Sequence, residues 1–246
     1  MTLFFLIAAG FSAGFVDAIA GGGGLISLPA FLAIGLPPYA ALGTNKIVGL
    51  ATAFASSNRY RFSGLLSWRR LSPLFAAAMA LAWLGAFTAT HIDPQILRPV
   101  ILVLLVAAAL LVAFRDRLGL KQVPERFRIP LTWVLFPLIG FYDGFFGPGT
   151  GTFMMITFLF VAGLDLLRAS AQSRVVNLAS NVGALLWFIP HGDVRFQLAL
   201  PAAIASFVGG ILGASLAVRR GPSLIRPVFM GVTWALILKV AWDLFA

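Results

Sequence analysis

Apolar runs separated by short polar turns fill almost the whole chain. They fall at 2–19, 25–36, 39–58, 71–91, 95–114, 130–146, 151–163, 166–188, 197–218 and 223–245. A run such as 100–114 (VILVLLVAAALLVAF) is apolar on every face of a helix. A barrel strand would instead alternate apolar and polar positions. Several runs approach the ~20 residues that a helix needs to span the hydrocarbon of a bilayer. The pattern predicts an all-α polytopic membrane protein.

The pattern also occurs twice. Residues 14–21 (GFVDAIAG) match 140–147 (GFYDGFFG), a spacing of 126, and from Ala41 onward the spacing becomes 128. Thus Lys46 corresponds to Arg174, Pro73 to Pro201, Leu84-Gly85-Ala86 to Leu212-Gly213-Ala214, and Arg98-Pro99 to Arg226-Pro227. Duplication in a hydrophobic chain is a mark of secondary transporters. It divides the chain into a first repeat at 1–114, a polar connector at 115–129 and a second repeat at 130–246, with five segments in each repeat.

Charge supplies direction. Only 11% of residues are charged, yet the net charge is +10. The basic residues cluster at the ends of apolar runs, which reads as membrane orientation and not as a nucleic-acid footprint. Arg59, Arg61, Arg69 and Arg70 in loop 59–70, the basic residues of 115–128, and Arg219-Arg220 are expected to be cytoplasmic. The turns at 91–94 and 189–194 hold no Lys or Arg and are expected outside. Loop 59–70 corresponds to 187–198, on the opposite side, so the two five-segment repeats are expected to be inverted. The opening 20 residues resemble a signal peptide, but no basic residue precedes the apolar stretch, and its small-residue end is copied at 140–147. That stretch is read as part of the mature fold.

Each repeat carries a glycine-rich break: Gly21 to Gly24 in the first, and Gly147-Pro148-Gly149-Thr150-Gly151 in the second. Glycine costs about 1 kcal/mol relative to alanine inside a helix. The run after the first break, 25–36, would rise only ~18 Å as a helix, short of the ~30 Å core. Broken or re-entrant hairpins with their tips near the midplane are the expectation. Close helix packing through small residues is the alternative.

The candidate chemistry lies beside these breaks. Lys46 and Arg174 sit among apolar and small residues, where a cation costs ~2.5–3.5 kcal/mol. Thr44, Asn45, Gln172, Ser173 and Asn177 lie within one turn of them. A hydrated, substrate-facing pocket is expected, with snorkelling to the headgroups as the alternative. Helix starts after glycine runs present free N–H groups and favour anions, which adds Gly22, Gly23, Gly24, Gly149, Thr150 and Gly151 to the substrate-binding set. Asp17 and Asp143 are equivalent to one another. Each reads either as a proton-coupling carboxylate or as a counterion to a buried cation, with the counterion role slightly favoured. Ser180 and Asn181, one turn beyond Asn177, are further residues that could line the path.

These motifs resemble the sulfite-exporter TauE/SafE family, also called the toluene-sulfonate uptake permease family. The resemblance covers nearly the whole chain and rests on GFVDAIAGGGGLISLPAFLAIGLPPYAALGTNK, GFYDGFFGPGTGTF and ASAQSRVVNLASNVGAL. It implies a bacterial inner-membrane, multi-pass transporter of sulfite, sulfonates or related sulfur-containing anions, often in export. The second break departs from the four-glycine pattern, so the two tips need not contribute equally.

The expected function is therefore a secondary transporter of a small anion working by alternating access, with an anion channel as the alternative. No enzyme is expected. The chain has no cysteine and only two histidines, 100 residues apart, so neither a catalytic constellation nor a metal site is read, and no cofactor is assigned. No Gly-x-x-x-x-Gly-Lys-[Ser/Thr] sequence occurs, so ATP hydrolysis is not built in. The expected partners are a small anion and the lipid bilayer. Proton coupling and a homo-oligomer are both compatible with the sequence.

Overall fold

Two of the longest helices hold most of the buried polar residues, and both lie inside the protein. They are α3 (Pro38–Arg61) and α8 (Leu166–Phe188), which pack against each other. The computed structural model describes residues 1–114 and 122–221, with 223, 224 and 227. In chain order the other helices are α1 (Thr2–Ala20), α2 (Gly24–Ala33), α4 (Trp68–Thr90), α5 (Pro94–Phe114), α6 (Glu125–Phe145), α7 (Thr150–Ile156) and α9 (Phe196–Arg220). Over Thr157–Val161, α7 widens into a π-helical turn. No strand occurs among the described residues. The tenth expected segment, 223–245, and Arg115, Arg117 and Lys121 of the connector lie outside or largely outside the described residues.

The burial pattern is that of a protein solvated by lipid. Phe4, Leu102, Val103, Ile129, Leu138 and Ile204 are exposed, Ile129 by 71%. The fully buried side chains include Arg174 and Lys46. Apolar side chains face out because hydrocarbon surrounds the bundle, and polar groups turn in to find partners. The helices α1, α4 and α9 are long and apolar enough to cross a membrane. The more polar α3 and α8 are shielded by them: α9 packs on α1 and α3, and α4 packs on α6 and α8.

The duplication is visible in this packing. An added Cβ on Gly14 of α1 would strike the Ser206 carbonyl of α9, and one on Gly140 of α6 would strike the Ala78 carbonyl of α4. Gly213 meets the Phe15 carbonyl, and Gly85 meets the Phe141 carbonyl. Each contact maps onto the other by the 126 and 128 spacings, so two copies of the sequence make two copies of the same helix contact. Small residues let the backbones approach closely where no hydrophobic effect drives them together. Replacing Gly144, whose added Cβ would run into the Ala82 carbonyl, by valine is expected to destabilise the α4–α6 contact by about 1–3 kcal/mol. Thermal unfolding of the detergent-solubilised variant measures this, and an unchanged midpoint would contradict such close packing.

Helix boundaries follow local chemistry. Pro38 opens α3 at the first turn, where its missing N–H costs nothing. Asp165 caps α8 by accepting the Arg168 N–H at 2.9 Å. The glycines end α1 and α6. Gly21, Gly22, Gly147 and Gly149 all have φ between 85° and 103°, a region that side chains with a Cβ avoid.

Candidate functional site

The two glycine breaks meet. An added Cβ on Gly21 would lie 2.6 Å from the Gly151 carbonyl carbon, and one on Gly24 would lie 3.1 Å from Pro148 Cα. The tips come this close because Gly21 and Gly24 carry no side chain where they meet the second break.

The carbonyls that end α1 at the first break are all satisfied. A helix leaves its last four carbonyls without intrahelical donors. In α1 these are Asp17, Ala18, Ile19 and Ala20. Asp17 O accepts from Gly21 N at 2.9 Å and from Arg174 Nη1 at 2.7 Å. Ala18 O accepts from the Tyr60 hydroxyl at 2.9 Å, Ile19 O from Ser170 Oγ at 2.9 Å, and Ala20 O from Thr152 Oγ1 at 3.2 Å. Three of these donors come from the second half of the chain, so a broken helix end becomes a junction between halves.

The four ionisable residues pair crosswise. Lys46 Nζ lies 3.0 Å from Asp143 Oδ1 and also donates to the Asp143 carbonyl. Arg174 Nη1 lies 2.8 Å from Asp17 Oδ2 and also donates to the Asp17 carbonyl. The two pairs are equivalent by sequence spacing, and each joins a cation of one half to the carboxylate of the other. This places Asp17 and Asp143 in the counterion geometry.

The pairs are not equal. An arginine has five N–H donors, and Arg174 commits all of them. Its Nη1 serves Asp17 twice, its Nη2 donates to Gly151 O at 3.0 Å and to Ser173 Oγ at 2.9 Å, and its Nε donates to Ser173 Oγ at 3.2 Å. Lysine has three donors. Two go to Asp143, and the third has no partner among the described residues. Asp143 Oδ2 accepts from Ser180 and, at 3.5 Å, from Asn177. Asp17 Oδ1 accepts from Gly23 N at 3.1 Å.

Lys46 borders a cavity of about 30 Å³, room for roughly two waters. Asn45, Asn177, Asp17 and Asp143 line it, as do Gly22, Gly23 and Gly24 from one break and Gly149, Thr150 and Gly151 from the other. Of the residues expected to bind substrate, Arg174, Thr44, Gln172 and Ser173 do not line it. Ser173 is held by Arg174 and by Ser170 O. Thr44 accepts from Arg195 N at 3.0 Å and so belongs to the 189–195 turn. Burial pushes the Asp193 carboxyl of that turn up, against the pull of His191 and Arg195. Gln172 donates to Leu65 O at 3.3 Å in the 59–70 loop. Thr44 and Gln172 share a turn with a cation in sequence, but helical rotation carries their side chains elsewhere.

Ser27, Gly49 and Thr52 also line the cavity and were not singled out from the sequence. Ser27 Oγ donates to Asn45 Oδ1 at 2.5 Å. Its signal was available: Ser27 is the only hydroxyl residue in the 25–36 run. Asn181, ranked below the main set, lines the cavity as well, and Gly49 makes room for its side-chain amide. No group of three or more metal-ligating side chains occurs among the described residues.

Comparison with known proteins agrees in kind. The family described as Sulfite exporter TauE/SafE matches residues 6–240. A Sinorhizobium protein named probable membrane transporter protein ORF9 is 38% identical over 98% of this chain and 93% of its own length. A probable membrane transporter protein of Haemophilus influenzae is 34% identical, over 97% of this chain and 94% of its own. The probable membrane transporter protein YfcA of Escherichia coli K12 is 31% identical, over 94% and 86%. No solved structure gives a significant match.

Proposed function

The chain belongs to the sulfite exporter TauE/SafE family of membrane transporters, and from that premise we propose that it is a secondary transporter for a small anion. The proposed substrate is a sulfur-containing oxyanion or organosulfonate, such as sulfite, moved outward by alternating access between two inverted halves. One observation carries the reading: Lys46 lines a cavity that both glycine breaks border and keeps a donor unspent among the described residues, whereas its equivalent, Arg174, is saturated. In this reading Lys46 meets the anion, with Asn45, Asn177 and the amides of Gly22 and Gly24 around it, the Gly23 amide being held by Asp17. Arg174 and Ser173 brace the first break from behind.

The cavity's size supports a moving site. Sulfite has four heavy atoms and needs more room than about two waters. Admitting it requires the breaks to part. Asp143 is the proposed coupling group. It shares Lys46 with the incoming anion, so an anion that draws Lys46 away leaves Asp143 to take a proton. That links anion and proton movement with no further residue.

The test is flux in proteoliposomes, with sulfite, sulfate, thiosulfate, sulfonates and carboxylates compared. Preloading with unlabelled substrate should accelerate uptake of labelled substrate, because exchange returns the loaded carrier faster than the unloaded one. With the membrane potential clamped, a channel would show no such acceleration, and its reversal potential would follow the anion gradient alone. A protein that moves none of these anions would overturn the proposal.

A further inference from the structure

We propose that a groove between the first turns of α4 and α6 binds the phosphate headgroup of an anionic phospholipid. The groove has a volume of about 430 Å³ and is lined by Arg69 and Arg70 of α4 and by Arg128 and Glu125 of α6. Its floor and walls include Pro73, Leu74, Ile129 and Trp133.

Charge selects an anion. Three arginines face one carboxylate, and that carboxylate is weakly engaged. Glu125 lies 3.7 Å from Arg128, and its side chain is 90% exposed, so the pair contributes little. Arg69 and Arg70 occupy the first turn of a long helix that has no acidic residue there. Cations at the positive end of a helix dipole repel it, and an anion between them relieves that repulsion. Arg128 Nε donates to Val123 O at 3.1 Å, which holds the guanidinium at the groove instead of letting it sweep through solvent.

The walls select a lipid over a soluble anion. Ile129 is 71% exposed and Trp133 49%, and Val134 beside them and Trp68 beside Arg69 are also exposed. The arginines therefore sit where the outward apolar belt begins, at the level of headgroups. Inorganic phosphate would use the arginines and leave the apolar wall unused. A phospholipid uses both, with its phosphate on the guanidinium forks and its acyl chains along Ile129 and Trp133. Basic pockets between transmembrane helices recognise lipid headgroups on these grounds.

Native mass spectrometry of the full chain in non-ionic detergent tests this. Phosphatidylglycerol and phosphatidylcholine with identical acyl chains are offered in turn, and inorganic phosphate is added as competitor. The expected result is preferential retention of phosphatidylglycerol. Replacing both Arg69 and Arg70 by alanine should weaken that retention about 30-fold, on the usual worth of a basic residue near an anionic surface. Both arginines are exposed, so the variant keeps its packing, and the comparison of the two lipids on the parent chain needs no variant at all. Equal retention of the two lipids, or undiminished phosphatidylglycerol binding in R69A/R70A, would overturn the proposal. Displacement of the lipid by millimolar phosphate would identify a free-phosphate site and would overturn it equally.

Discussion

Replacing Lys46 by methionine is expected to cut anion flux by roughly 30- to 4,000-fold while leaving the protein folded. The range follows from about 2–5 kcal/mol for removing one partner of a buried charged contact, at tenfold per 1.4 kcal/mol. The folded state should survive because of the partner left behind. Asp143 accepts from Ser180 and Asn177 as well as from Lys46, and a carboxyl can take up a proton and remain buried as a neutral group. Methionine fills most of the lysine stem's volume, so no large cavity opens. Flux of labelled sulfite or sulfonate into proteoliposomes reads the effect, and the unfolding midpoint in detergent is the control. Full flux in the variant would remove Lys46 from the proposed site. Lost flux with a collapsed midpoint would make Lys46 a brace instead.

The second large effect runs the other way. Replacing Asp17 by asparagine is expected to destabilise the protein by about 3–5 kcal/mol, the usual cost of leaving one buried charge uncompensated. Arg174 is fully buried, and unlike a carboxyl it cannot give up its charge, since guanidinium stays protonated in proteins. The loss would spread, because Arg174 also holds Gly151 O and Ser173, and Asp17 holds Gly23 N. Removing both members of the pair, with Arg174 replaced by methionine, should recover part of the loss, because a buried pair as a whole contributes little net stability. A double-mutant cycle on the unfolding free energy measures the coupling. If D17N unfolded like the parent but carried no anion, the pair would belong to the transport site, and the division of labour between the two pairs would fail.

These predictions differ for two pairs that look alike in sequence. Lys46 and Arg174, and Asp17 and Asp143, are recognisable as equivalents from the 126 and 128 spacings alone. The helical segments are legible too, because lipid solvation requires long apolar runs, and each described helix begins or ends within a few residues of its run. The glycine breaks are legible because four contiguous glycines in one repeat, and Gly147-Pro148-Gly149 in the other, are poor helix formers. Membership of a transporter family follows from the same motifs.

Which cation faces the cavity was not legible. That depends on donors and acceptors from residues 97 and 157 positions apart, and a local pattern does not report how many of a side chain's hydrogen bonds are taken. Gln172 and Thr44 illustrate the point: each is polar and next to a cation, yet each is turned by helix geometry toward a loop. Alone, the sequence determined the apolar segments, the duplication, the two breaks and the four charges inside, since each is a matter of local composition and spacing. Only the tertiary structure decided that the charges cross between halves, and that Arg174 is spent while Lys46 is not. Hydrogen-bond saturation is a property of three-dimensional neighbours, and two equivalent positions acquire different neighbours as soon as the two repeats differ around them.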